Sequence, residues 1–394
     1  MVLAVGAGAT AALSAVQGGL PALGPAIQQA FGLSLVEVAA AFTAFALGTV
    51  ITLLAWGGLS DRAGERWVIA AGLGAGSLAL AAAASVDGYA AFLGALVVAG
   101  MLGSSAISAS GRAVFGWFPR DERGLALGLR QTAVPAGAAA ASLSLPPLAA
   151  AAGLDAALYA LAGAMLAASL AAALWLRGGE RFESAAPPAP DAVRDPRIWR
   201  LSVASSLMII GQVGLTSLLV LYLYGERGWS PADAALALGG VQVGAALARV
   251  AAGRWSDLRD ERIEPFRRLA AAAGTLLLAA AALAGAPDAI AVPVLMAGGV
   301  AAMSWNGLSF TAAAEISGRR QAGTAMGIQN TSMRLVAVGV PVGMGALASA
   351  VSWQLAFLLM GAAPLAARQL LAPLVADEHD RREARRARQA EARA

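Results

Sequence analysis

Apolar runs broken by short polar stretches repeat along the whole chain. Many reach about 20 residues, the helical length that crosses roughly 30 Å of hydrocarbon. The pattern predicts twelve membrane helices, over residues 3–29, 36–58, 66–85, 89–116, 122–149, 156–177, 197–225, 233–254, 266–285, 290–315, 323–349 and 353–375. Between the sixth and seventh lies a polar, Pro-rich stretch with Ala185-Ala186-Pro187-Pro188-Ala189-Pro190, which reads as a linker. The expected organisation is an N-terminal six-helix bundle over 1–178, a cytoplasmic linker over 179–196, a C-terminal bundle over 197–376 and a charged tail over 377–394. The alternating charges of that tail predict a solvated helix or a disordered end.

The halves resemble one another. Gly57-Gly58-Leu59-Ser60-Asp61-Arg62-Ala63-Gly64-Glu65-Arg66 reads as a tight charged loop between two apolar runs. A related stretch, Gly253-Arg254-Trp255-Ser256-Asp257-Leu258-Arg259-Asp260-Glu261-Arg262, returns 196 positions later. Ser34-Leu35-Val36-Glu37 and Ser230-Pro231-Ala232-Asp233 share that offset. Each puts a Ser before a helix and an acid three residues on, the arrangement that satisfies free N–H groups at a helix start. Gly124–Thr132 matches Gly323–Thr331 at an offset of 199. The fold class is therefore an all-α polytopic membrane protein, twelve helices in two pseudo-symmetric six-helix bundles, with a binding site expected between them near mid-membrane.

Composition narrows the chemistry. Of the 394 residues 58% are hydrophobic and 13% charged, against about a quarter charged in soluble domains. There is no Cys, and the one His, His379, lies in the tail, so no disulfide, His triad or His/Cys metal site is expected in the membrane. No nucleophile–base–orienter set is visible, and an enzyme is not expected. No phosphate loop is present, and every basic residue is Arg; neither ATP-driven transport by this chain nor nucleic-acid binding is expected. No cofactor is implied, and a monomer in the lipid bilayer is expected. Arg is concentrated in the loops after helices 2, 4, 6, 8 and 10, whereas the opposite loops hold only Arg227. The positive-inside rule then places both termini in the cytoplasm of a cell with this protein in its plasma membrane.

Three Arg residues fall inside apolar helices: Arg130, Arg249 and Arg334. Each charge at mid-helix costs roughly 2.5–3.5 kcal/mol on insertion scales. Arg130 lies near enough to a helix end to reach water, whereas Arg334 is about eleven residues into its helix. Glu37, Asp87, Asp155, Asp233, Asp288 and Glu315 all fall near helix ends, so no carboxylate shares the depth of these cations. Guanidinium groups without protein counter-ions suit an anion, since Arg offers a planar bidentate fork to a carboxylate. Neutral polar side chains at the same depth are Gln17, Gln131, Gln212, Gln242, Asn306, Gln329 and Asn330, each equally suited to bond a neighbouring helix or a substrate; Gln131 and Asn330 occupy equivalent repeat positions, which favours the pocket for both. Trp305 beside Asn306 is a candidate apolar wall; ordinary packing is the alternative.

Gly57, Leu59, Asp61, Arg62, Gly64 and Arg66 match the loop signature of the major facilitator superfamily, which the chain resembles in helix count and linker as well. Ser60 and Glu65 depart from that signature, and Asp260 stands where the second copy would have its second Gly. The resemblance implies a secondary transporter working by alternating access. It implies a gating role for Asp61, Arg62 and Arg66, with Asp257 as the counterpart in the second half; Arg112, near the cytoplasmic end of helix 4, lies at a depth that suits pairing with Asp61, with substrate contact as the alternative. Arg249 with Gly253, Ser256 and Asp257 is similar to a segment of oxalate/formate antiporters and monocarboxylate transporters, without its Pro. That implies a carboxylate ligand for Arg249, with Arg334 as a second cation by position. The expected substrate is a small mono- or dicarboxylate; the alternatives are export of drugs or other amphiphiles and a non-transporting receptor on the same fold.

Overall fold

The computed structural model describes residues 2–109, 123–176, 190–318 and 321–391; the side chains of residues 2–3, Leu54, Asp61, 123–131, 190–191 and 384–391 are outside that description. Every described element is a helix. Helix α1 is Val2–Ala22 continued by Gly24–Phe31, and α2 is Leu35–Ile51 continued by Leu53–Ala63. Next come α3 (Glu65–Ala83) and α4 (Tyr89–Gly103). The stretch Arg123–Trp175 holds α5 and α6, folded back on themselves at Gly153. The second half comprises α7 (Pro196–Gly225), α8 (Pro231–Arg259), α9 (Ile263–Ala282), α10 (Asp288–Met303 and Asn306–Ser317), α11 (Ala322–Ala350) and α12 (Trp353–Glu391). These are the twelve expected helices, in the two-bundle arrangement.

The turns are tighter than the hydropathy pattern predicts. The ten-residue charged loop is mostly helix: α2 runs on to Ala63, and Gly64 alone, at φ 82°, turns the chain into α3. That φ is open to Gly at little cost. At the matching position of the second copy Asp260 also has a positive φ, 54°, although the Gly does not recur. Asp tolerates this region better than most side chains. Likewise Gly153, at φ 90°, is the whole turn between α5 and α6.

The helix starts follow the sequence closely. Ser34 Oγ accepts from the Glu37 N–H while the Glu37 carboxylate accepts from the Ser34 N–H at 2.8 Å, a complete capping box. In the second copy the Asp233 N–H donates to Ser230 Oγ at 3.1 Å.

Small residues then let helices approach closely. A Cβ on Gly48 of α2 would lie 2.1 Å from the Val97 carbonyl oxygen of α4, and one on Gly100 of α4 would lie 2.2 Å from that of Phe45. Hydroxyl groups bridge α3 to α6: Ser77 donates to the Ala162 carbonyl at 2.9 Å and Ser169 to that of Ala70 at 2.6 Å.

Two compact units emerge. The first joins 1–185 with 213–246 and 337–356. Within it Gln29 Nε2 donates to the Tyr224 hydroxyl at 2.8 Å, and Gly345 packs against Ala39 and Leu218. The ends of α7, α8 and α11 remote from the C-terminus therefore pack with α1, α2 and α5. The second unit holds 186–212, 247–336 and 357–394. In it Glu378 is buried, and its carboxylate accepts from the backbone N–H groups of Arg262 at 2.7 Å and Ile263 at 3.1 Å. The expected solvated tail is thus anchored at its first turn, because the start of α9 supplies unpaired donors.

Candidate functional site

Arg249 projects from α8 toward a break in α10. The break, at Ser304-Trp305, ends the first α10 segment at Met303. The last carbonyls of a helix lack intrahelical partners and carry the negative end of its dipole. The Met303 carbonyl takes the Arg249 Nε–H at 2.7 Å, and Asn306 Oδ1 takes Nη2 at 2.8 Å. Both acceptors are neutral. Arg249 forms no ion pair among the described residues, and its Nη1 has no acceptor there. Nη1 therefore keeps both of its N–H donors without an acceptor among the described residues.

Trp305 holds this break in place. It is fully buried, stacks on Phe266 with ring centroids 5.1 Å apart and planes 6° apart, and donates Nε1–H to the Ala302 carbonyl at 2.8 Å. The expectation of a pocket wall is corrected: Trp305 is a packing anchor, because its indole fills the space between α9 and α10.

A second polar group lies in the same unit. Gln329 of α11 donates Nε2–H to Ser205 of α7 at 3.0 Å and also to Ser309 of α10; the two hydroxyls are 2.7 Å apart. All three side chains are buried, and Gln329 Oε1 has no partner. The sequence reading passed over Ser205 and Ser309, since single Ser residues in apolar helices carry little signal. It named Asn306 but not the helix break beside it, which no Pro marks.

The remaining candidates divide. Arg334 and Asn330 of α11 are partly buried, and Arg334 already has a partner within the fold. Gln17 of α1 is exposed along a helix whose neighbours Leu13, Val16 and Leu20 are buried. Gln242 is buried, with Oε1 unpartnered. The side chains of Arg130, Gln131 and Asp61 lie outside the described residues, as does Arg112. Arg62 is exposed; Arg66 lies over the Trp67 ring at 5.0 Å, its Nε buried without an acceptor.

The second copy of the charged turn is fully wired. Arg262 Nη1 donates to Ser256 Oγ at 2.6 Å and Asp257 at 2.7 Å, and Nε donates to Glu315 of α10 at 3.1 Å. Burial opposes the charge of Arg262, yet Glu315 and then Asp257 raise its pKa above the ordinary value. Arg382 of α12 donates to Glu261 at 3.0 Å and to the Arg259 carbonyl at 2.9 Å. One turn thereby ties together the ends of α8, α9, α10 and α12.

Twelve apolar helices in two repeats define a polytopic membrane protein of the duplicated six-helix type. Residues 5–340 match the family model of the Major Facilitator Superfamily, and the chain belongs to that family. It is 35% identical over 378 residues to the "Uncharacterized MFS-type transporter Rv2994" of Mycobacterium tuberculosis (strain ATCC 25618 / H37Rv), covering 94% of this chain and 84% of that one. Among solved structures, a bacterial homologue of the human lysosomal transporter Spinster, inward-facing and unoccupied, aligns with a TM-score of 0.74 at 15% identity, over 96% of this chain and 95% of that one. A D-xylose-proton symporter aligns with a TM-score of 0.75 at 16% identity, over 94% and 95%. The chain is therefore a multi-pass membrane transporter of alternating access, in a family of non-enzymes.

Proposed function

We propose that the protein moves a small organic anion, a mono- or dicarboxylate, and that Arg249 grips its carboxylate. The observation that carries this reading is that, among the described residues, Arg249 is tethered by a carbonyl and an amide oxygen alone, with Nη1 unused. Among those residues its charge faces the end of a half-helix, worth a fraction of a unit charge. Asn306 positions the guanidinium, and Arg334 supplies a second cation from α11. Arg130, Gln131, Asn330, Gln17 and Gln242 complete the candidate lining. The two six-helix halves rock about this site with both termini in the cytoplasm, and the protein works as a monomer. Asp61, Arg62, Arg66 and Arg112 act as the gate of the first half, and Asp257 as that of the second.

The test is thermal unfolding of the purified protein in detergent, against small carboxylates and lipophilic cations. A ligand at 100 times its Kd, binding only the folded form, stabilises by about 2.7 kcal/mol. Stabilisation by a carboxylate is expected, and its loss in Arg249→Gln and Arg334→Gln, both still folded. Stabilisation by lipophilic cations alone overturns the anion reading in favour of drug export. Binding without flux in proteoliposomes makes the protein a receptor.

A further inference from the structure

Helices α2 and α4 break at the same level, and the two breaks are bonded to each other. Thr52 divides α2 at φ −103° and ψ 1°, well away from the helical values near −63° and −42°. Ser104 closes the first segment of α4, whose last carbonyls, Met101 among them, are short of intrahelical partners. Thr52 Oγ1 donates to the Met101 carbonyl at 2.5 Å and meets Ser104 Oγ at 2.9 Å. Trp56 Nε1–H donates to the same carbonyl at 2.7 Å. In return Ser108 Oγ, past the break of α4, donates to the Leu53 carbonyl at 2.9 Å.

The two sides of this joint are packed differently. Before it, α2 and α4 cross in backbone contact at Gly48 and Gly100, and Val38, Phe42, Phe45 and Thr49 are buried. After it, Leu53–Ala63 makes about three helical turns. Ser60 is the one buried side chain there among those described, whereas a helix packed along one face buries side chains on every turn. Among the described residues, none lies within 4 Å of a Cβ placed on Gly57 or Gly58. Local opening takes least free energy where few apolar contacts are buried. The second half has no such division. Helix α8 runs unbroken from Pro231 to Arg259, and its charged turn is tied to α10 through Arg262 and Glu315 and to α12 through Glu261 and Arg382.

We propose that Leu53–Ala63 is a hinged flap that turns on the Thr52–Ser104 joint and carries the charged turn of the first half with it, while the first segment of α2 stays fixed on α4. The flap deepens the gating role proposed for Asp61 and Arg62 by giving that gate a moving part of its own. The equivalent turn of the second half moves only with the helices it is tied to, so the two gates are unequal.

The experiment is hydrogen–deuterium exchange of the purified full chain in detergent, read on peptides covering 53–63 and 249–259, which lie 196 positions apart in the repeat. Faster exchange over 53–63 is expected in the parent. Trp56→Phe/Ser108→Ala removes the two bonds by which α4 holds the start of the flap. Exchange over 53–63 is then expected to rise about 30-fold, from two neutral hydrogen bonds of about 1 kcal/mol each at tenfold per 1.4 kcal/mol. Residues 35–51 and 249–259 keep their parent rates, and Ser108→Thr, which retains a hydroxyl, leaves 53–63 unchanged. Equal exchange of the two stretches in the parent overturns the proposal, whether or not the double variant folds. So does an unchanged rate over 53–63 in the folded double variant, or a rise that extends to 35–51, which is α2 opening as one unit. None of these readouts uses a ligand, so their failure leaves the carboxylate reading of Arg249 standing.

Discussion

Replacing Glu378 by Ala removes the anchor of α12 and tests how the tail is held. Two backbone donors at the start of α9, the Arg262 and Ile263 N–H groups, lose an ionised acceptor at 2.7 and 3.1 Å. Hydrogen bonds to a charged group contribute about 1.5–3 kcal/mol each. The two share one carboxylate, so the combined loss is set at roughly 2–4 kcal/mol, including the interaction with the helix dipole. The side chain is 6% exposed, so water does not readily replace it. Hydrogen–deuterium exchange of the peptide spanning Arg262 and Ile263 reads this directly: 2 kcal/mol corresponds to about a 30-fold faster local exchange. Glu378→Gln keeps one neutral acceptor and is expected to lie between parent and Ala. Because Arg382 is held against Glu261 and the Arg259 carbonyl further along α12, the Ala variant is also expected to be cut faster by trypsin there. Unchanged exchange in the Ala variant refutes the capping role.

Three further outcomes follow from the packing and charge pattern. Gly100→Leu places side-chain atoms where a Cβ already lies 2.2 Å from the Phe45 carbonyl oxygen; α2 and α4 must part, and a loss of monodisperse protein on size exclusion is expected, whereas a parent-like unfolding temperature counts against the close crossing. Arg197 hydrogen-bonds Asp195 and holds its carboxyl below the usual carboxylate range; its depressed pKa makes a contribution present at neutral pH and lost as pH falls through that value, so the stability gap between parent and Asp195→Asn is expected to shrink from about pH 4 downward, and a gap that widens on acidification contradicts it. Tyr224→Phe deletes the 2.8 Å bond to Gln29, an exposed contact worth about 0.5 kcal/mol at the low end of the range; the ratio of separated to joined populations, read from distances between spin labels at the ends of α1 and α7, is expected to rise about twofold, and an unaltered distribution argues against a role in closure.

The twelve helices and their duplication were legible because apolar period, Ser caps and charged turns are local signals. Ser34 and Ser230 cap where their acids predict, and Gly64 and Asp260 both take a positive φ 196 positions apart. The position of a turn was readable; its brevity was not, since Leu59 and Arg62 suit a helix as well as a loop. The position of Arg249 inside an apolar helix was readable from hydropathy, but its partners were not. Met303 contributes only a carbonyl, which every residue has, and the α10 break arises where Trp305 packs on Phe266, a tertiary fact. Glu378 looked like one more charge in an alternating tail; only the fold brings it to the start of α9.

These contacts tie α8 and α10 together at two levels. Arg249 joins them at mid-helix through Met303 and Asn306, and Arg262 joins the ends through Asp257 and Glu315. Along α8 the two levels are about 12 Å apart, from Arg249 to Asp257 at 1.5 Å per residue, and along α10 about 13 Å, from Asn306 to Glu315. The inner tie is neutral on the acceptor side and the outer one is ionic. Under the proposed reading an incoming carboxylate competes with neutral oxygens for Arg249, since charge-assisted hydrogen bonds are roughly twice as strong as neutral ones. It does not compete with Glu315 or Asp257 for Arg262. Ligand binding then loosens α10 from α8 at the site while their ends stay joined, which lets the α10 break serve as the flexing point. A carboxylate that stabilises Asn306→Ala as well as the parent fits this account, because Asn306 yields its hydrogen bond to the ligand; one that stabilises the parent but not Asn306→Ala contradicts it and leaves Asn306 as the group that positions the guanidinium.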